Sequence, residues 1–104
     1  MYDTVIKNGT VIDGTGAPMV RADVAIKEGM IVGIGEFSKE EAEQVIEAEG
    51  CYVTPGFIDV NNHSDTYWEL LSQPNLAGML CQGVTTIIGG NSGSSLAPLT
   101  NPSV

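Results

Sequence analysis

Thr54-Pro55-Gly56-Phe57-Ile58-Asp59-Val60-Asn61-Asn62-His63-Ser64-Asp65 is the stretch whose reading decides the fold. Pro55-Gly56 is a turn signal that stops the element before it. Phe57, Ile58 and Val60 then make an apolar run short enough for a buried strand. A burst of polar residues follows, from Asn61 to Asp65, and it contains His63, the one histidine in the chain. An apolar strand that delivers polar side chains at its C-terminal end is how open α/β sheets and barrels build sites.

Downstream, Asp65 to Leu71 predicts a helix. Pro74 opens a second helical stretch, with Leu76, Met79 and Leu80 as its inward face, and Gly83 stops it. Val84 to Ile88 is β-branched without a break, which suits a strand covered on both faces. Strand, helices, strand is the βαβ unit of a parallel sheet. The tail from Gly89 to Val104 is rich in Gly, Ser, Asn and Pro and predicts no element.

Upstream, residues 1–53 read as short strands with tight turns. Asn8-Gly9 between Val5-Ile6 and Thr10-Val11-Ile12 predicts a hairpin, because both turn residues tolerate positive φ. Ala22 to Lys27 partly alternates, Glu28-Gly29 turns the chain, and Met30 to Ile34 runs back. Ser38 with Glu41 three residues on is a capping-box pattern and predicts one helical turn. Val45 to Ala48 and Cys51 to Val53, separated by Glu49-Gly50, predict another hairpin.

Composition narrows the function. At 104 residues, 42% hydrophobic and 16% charged, the chain is foldable. A formal net charge of −9 with four Lys plus Arg repels phosphate backbones and anionic lipid, so neither nucleic acid nor membrane is expected as a partner. The glutamates are spread along the chain and read as solvated surface. Cys51 and Cys81 form no C-x-x-C pair and read as core thiols. Residues 1–20 show no signal peptide and no run reaches the ~18 apolar residues of a membrane helix, so the expected compartment is the cytoplasm. Gly90-Asn91-Ser92-Gly93-Ser94 lacks the last glycine of a nucleophile elbow, and no phosphate loop or dinucleotide fingerprint is complete.

The stretch from Thr54 to Asp65 resembles the first barrel strand of the amidohydrolase superfamily, and within it the N-acyl-D-amino-acid deacylase (D-aminoacylase) family. Gln82-Gly-Val-Thr-Thr-Ile-Ile-Gly-Gly-Asn-Ser92-Gly93 carries the likeness again. In that family the strand ends in His-x-His, two metal ligands, where this chain has Asn61-x-His63. A metal-ligating cysteine in Gly-Asn-Cys-Gly is replaced here by Ser92. The resemblance implies a fold in two parts. Residues 1–54 are a β-rich segment, half of a small β-sandwich. Residues 55–104 begin a (β/α)₈ TIM-type barrel with its first βαβ unit. A complete barrel takes about 250 residues, so the chain is expected to be the N-terminal part of a longer enzyme, inactive alone and needing the rest of the barrel.

The implied activity is hydrolysis of non-peptide C–N bonds in a small-molecule substrate such as an N-acyl-D-amino acid; the alternative is a non-catalytic relative or a β module that assembles with another chain. The implied cofactor is one zinc ion with His63 as a ligand. From the residues alone, a lone histidine after a strand is more often a loop residue than a ligand, and zinc wants about four ligands, so His63 cannot hold it alone. Asn61, Asp65 and Ser92 are candidates to line the site. Asn61 offers a neutral amide oxygen, weaker for zinc than imidazole. Asp65 either orients His63 or caps the following helix. A serine hydroxyl is a far poorer ligand than a thiolate. No residue of the chain is assigned as catalytic.

Overall fold

The computed structural model describes residues 1–64 and 69–90. It is mostly β, with two sheets, and the chain divides into two compact units between Pro55 and Gly56.

The first unit is a five-stranded sheet. Strand β1 (Tyr2–Val11) is its spine. β2 (Val20–Lys27) lies antiparallel to β1, and β3 (Met30–Gly35) lies antiparallel to β2. On the other side of β1, β4 (Ala42–Glu47) and β5 (Tyr52–Val53) run parallel to it in succession. Val5, Val11, Val24, Ala25 and Ala48 are the buried apolar core, with Val5 and Ala25 wholly inaccessible. The Tyr2 and Phe37 rings meet edge-to-face with centroids 5.2 Å apart.

The local turn signals hold where both flanks are local. Glu28 and Gly29 take φ of 52° and 75°, the left-handed pair that joins β2 to β3. Lys39–Glu41 form one 3₁₀ turn with the expected capping box, in which the Glu41 carboxylate accepts from the Ser38 backbone N–H at 2.8 Å.

Both other hairpins are replaced by continuations. Asn8 does adopt positive φ (61°), but β1 runs straight through it. The register against β2 jumps from Ile6↔Val24 to Gly9↔Ala22, so β1 holds one extra residue, a β-bulge. Asp23 makes the bulge: its carboxylate accepts the Asn8 N–H at 2.8 Å, satisfying a donor the ladder leaves unpaired. Glu49-Gly50 likewise reverses nothing. Ala48 N–H donates to the Lys7 carbonyl and Thr10 N–H to the Cys51 carbonyl, so the chain steps over the bulge and stays alongside β1. Gly9 is required at this crossing, since a Cβ there would collide with Val53 and lie 3.3 Å from Ala48 Cβ.

The second unit places β6 (Phe57–Asp59) beside β7 (Val84–Ile87) in parallel. Between them come α1 (Glu69–Ser72) and α2 (Ala77–Leu80), giving the expected strand–helices–strand order. Gly83, at φ 85°, ends the helical stretch, its N–H donating to the Leu80 carbonyl. Gly56 lets the strands close: a Cβ would sit 2.8 Å from Thr85 Cβ. The expected burial of β6 is corrected, as Phe57, Ile58 and Val60 are each more than half exposed. So is Leu80, and Ile88 is half exposed, whereas Leu76 and Met79 are half-buried. Two strands and two short helices cannot cover both faces of such a sheet. Cys51 and Cys81 are corrected too: both thiols are free and exposed. No helix among the described residues is long and apolar enough to cross a membrane.

Candidate metal-site edge

β6 and β7 end together. Their register runs Ile58↔Thr86 and Asp59↔Ile87, and the Ile88 N–H donates to the Asp59 carbonyl at 2.9 Å. The polar loop Asn61 to Ser64 therefore leaves the sheet at its C-terminal edge, the edge from which parallel sheets present site residues. Asp59 starts the loop. Its Oδ1 accepts the Asn61 N–H at 2.9 Å, a side-chain turn that ends the strand.

His63 and Asn61 stand on this loop and are exposed. Asp65 and Ser92 lie outside the described residues. Neutral imidazole is a good zinc donor, and His63 is the exposed imidazole of this loop. The described residues do not complete the set: no group of three or more His, Cys, Asp or Glu among them could hold a metal ion.

Two residues of the loop that sequence reasoning left without a role prove to be its buried ones. Asn62 is 7% exposed and Ser64 3%. Asn62 Nδ2 donates to the Ile88 carbonyl at 3.2 Å and approaches the Asp59 carbonyl at 3.4 Å, while its Oδ1 accepts the Ser64 N–H at 3.2 Å. The Ser64 hydroxyl lies 3.7 Å from Met79 Sδ, and its carbonyl accepts the Leu70 N–H at 3.3 Å. The one available signal was Asn at the end of a strand, a residue suited to local side-chain turns.

The first unit holds a separate polar cleft of about 530 Å³, lined by Lys7, Arg21, Asp23 and Phe37 among others. Asp23, 5% exposed, is its anchor. It pairs with Lys7 Nζ at 2.7 Å and accepts the N–H groups of Asn8 (2.8 Å) and Phe37 (3.0 Å). Lys7 Nζ also donates to the Phe37 carbonyl. Burial works against the charge on Asp23, but these donors outweigh it and hold its carboxyl below the ordinary range. Every partner is internal, so the cluster is a structural clamp on the bulge.

Comparison with known proteins covers both units. Residues 1–54 match the family described as urease alpha-subunit, N-terminal domain. An N-acyl-D-aspartate deacylase of Alcaligenes xylosoxydans xylosoxydans is 43% identical over 98 residues, 94% of this chain and 19% of its own. An adenine deaminase of Bacillus velezensis is 44% identical over 87 residues, 83% of this chain and 14% of its own. Among solved structures, an N-acyl-D-glutamate deacylase from Bordetella bronchiseptica, complexed with zinc and a phosphonate mimic of the tetrahedral intermediate, superposes with a TM-score of 0.84 at 42% identity. That match covers 98% of this chain and 21% of the other. The chain thus spans about a fifth of the length of the deacylases it matches. With the β unit, the strand pair and its polar edge all included in one continuous likeness, the chain belongs to the amidohydrolase superfamily, in the family described by the urease alpha-subunit N-terminal domain, and is similar to N-acyl-D-amino-acid deacylases.

Proposed function

We infer that these residues are the N-terminal part of a metal-dependent amidohydrolase that cleaves the amide bond of N-acyl-D-amino acids. On this reading residues 1–54 are the β-sandwich segment and 55–104 the first two strands of a (β/α)₈ barrel. The remaining strands would cover Phe57, Ile58 and Val60, whose exposure supports the reading. The observation that carries it is the placement of His63 at the C-terminal edge of a parallel strand pair, within a chain that superposes over 98% of its length on a zinc-bound deacylase.

One zinc ion is the proposed cofactor, and His63 is the donor this chain gives it. The chemistry zinc supplies when bound is a water acidified to a pKa of about 7 and a polarised carbonyl. This chain's own residues hold and orient. Asp59 turns the backbone, Asn62 and Ser64 anchor the loop, and His63 stands exposed between them. Asn61, Asp65 and Ser92 are proposed to line the site, offering neutral or acidic oxygens to substrate or water. The rest of the donor set, the proton-transfer group and the substrate contacts would come from the rest of the barrel. Free Cys51 and Cys81 support a reducing compartment, the cytoplasm.

The test is the complete protein containing this segment, assayed for zinc content and for carboxylate release from N-acetyl-D-aspartate, N-acetyl-D-glutamate and N-acetyl-D-leucine. Zinc with turnover of at least one supports the reading; turnover by the 104-residue chain alone would refute the claim that a longer barrel is needed. The 44% identity to an adenine deaminase favours one second reading, hydrolysis of an aryl C–N bond. Ammonia release from adenine, with none of the acylated substrates cleaved, would establish it instead.

A further inference from the structure

Among the described residues, the second unit buries two polar side chains and no large apolar one. A primary amide in such a place costs about 1–3 kcal/mol unless it is paired. Asn62 is paired at both ends. Its Nδ2 faces the carbonyls of Asp59, the last residue of β6, and Ile88, the first residue after β7. Its Oδ1 faces the Ser64 N–H. The reversed amide would set oxygen against two carbonyl oxygens, so only one orientation satisfies the surroundings.

The bond from Ser64 N–H to Asn62 Oδ1 closes a side-chain turn whose middle residue is His63. The turn is tied to both strand ends through Nδ2. It is tied on its far side to α2 through Ser64 and Met79. His63 is therefore exposed on a backbone that its two neighbours hold fixed. We propose that Asn62 is the positioning residue of this edge: it sets where the His63 imidazole stands relative to the ends of β6 and β7. Its consequence for zinc rests on the function proposed above; its consequence for the loop does not. Loss of a group that orients a metal ligand typically lowers metal affinity about 10–100-fold.

The experiment uses the complete protein with Asn62→Ala, the isosteric Asn62→Asp, and Val24→Ala as a buried control outside the loop. In the zinc-free protein, Ser64 amide exchange and the His63 ring resonance, assigned with His63→Gln, report the turn. Zinc affinity is read by chelator competition. Both Asn62 variants should speed Ser64 exchange about tenfold, shift or broaden the His63 resonance, and raise the zinc Kd about 10–100-fold. Val24→Ala should lower global stability while leaving all three readouts unchanged. Unchanged exchange and resonance in Asn62→Asp would overturn the proposal whatever happens to zinc. If exchange and resonance respond while the unaltered protein takes up no zinc, positioning by Asn62 stands and the metal-dependent function falls.

Discussion

The two units bury opposite kinds of side chain. The first closes around Val5, Val11, Val24, Ala25 and Ala48, with one charged clamp at its bulge. The second, in its described residues, buries Asn62 and Ser64 and leaves Phe57, Ile58, Val60 and Ile88 to solvent. Apolar burial is the main stabilising term, at about 25 cal/mol per Å². The first unit has the makings of independent stability. The second is shaped by hydrogen bonds that give it geometry and little energy, as hydrogen bonds contribute about 1 kcal/mol net each. A segment that specifies an edge need not be the segment that holds the chain folded.

This contrast can be broken by mutation. The largest effect is expected from Asp23→Ala, which strands the Lys7 ammonium. Removing one partner of a buried pair costs about 3–5 kcal/mol. The lower end applies, because Lys7 keeps the Phe37 carbonyl and its side chain is 16% exposed. Urea unfolding of the 104-residue chain followed by far-UV circular dichroism measures it. Val5→Ala comes next, at about 2 kcal/mol for two lost methyl equivalents and a small cavity. If Val5→Ala were harmless, the first unit would not be the one that carries stability.

Gly56→Ala should cost about 1–2 kcal/mol by forcing β6 away from Thr85, a typical overpacking penalty. Thr85→Ala in the same chain should recover most of it. Hydrogen exchange should locate the loss in residues 56–90 and leave β1 and β2 protected. Phe57→Ser is the sharpest inversion and the smallest effect, within about 0.5 kcal/mol in this chain because the ring is already 56% exposed. The same change in the complete protein should be severe if a further barrel strand covers that ring.

Acid adds a fifth test. Asp23 has its carboxyl held low in the folded state, so the unfolded chain takes up its proton first as pH falls. The stabilisation is complete above the unfolded value of about 3.9 and is lost as pH drops through the lower folded one. Asp23→Asn should flatten this acid limb of the stability curve and leave the region above pH 5 parallel to that of the unaltered chain.

What sequence reading reached, and what it missed, follows from the distance between partners. Glu28-Gly29, the Ser38–Glu41 cap and the Gly83 stop are local, and each stands as expected. The parallel pairing of β6 and β7 was legible because β-branched and apolar runs flank a helical stretch. Asn8-Gly9 was read as a reversal because the residue that makes it a bulge, Asp23, lies 15 positions away. Val45 to Val53 was read as a hairpin because its real partner is β1. His63 was singled out by chemistry alone. Asn62 beside it was passed over, since its role depends on the Ile88 carbonyl, 26 positions on.

The placement of β1 at the centre of its sheet has a consequence during synthesis. The earliest strand of this chain to leave the ribosome is the one that waits longest for neighbours, because β4 and β5 begin about 40 residues later. At about 5–20 residues per second, one flank of β1 stays bare for roughly 2–8 seconds. During that interval a nascent chain carries an open pairing edge, and it is there that a trigger-type chaperone or a neighbouring nascent copy would find its opening.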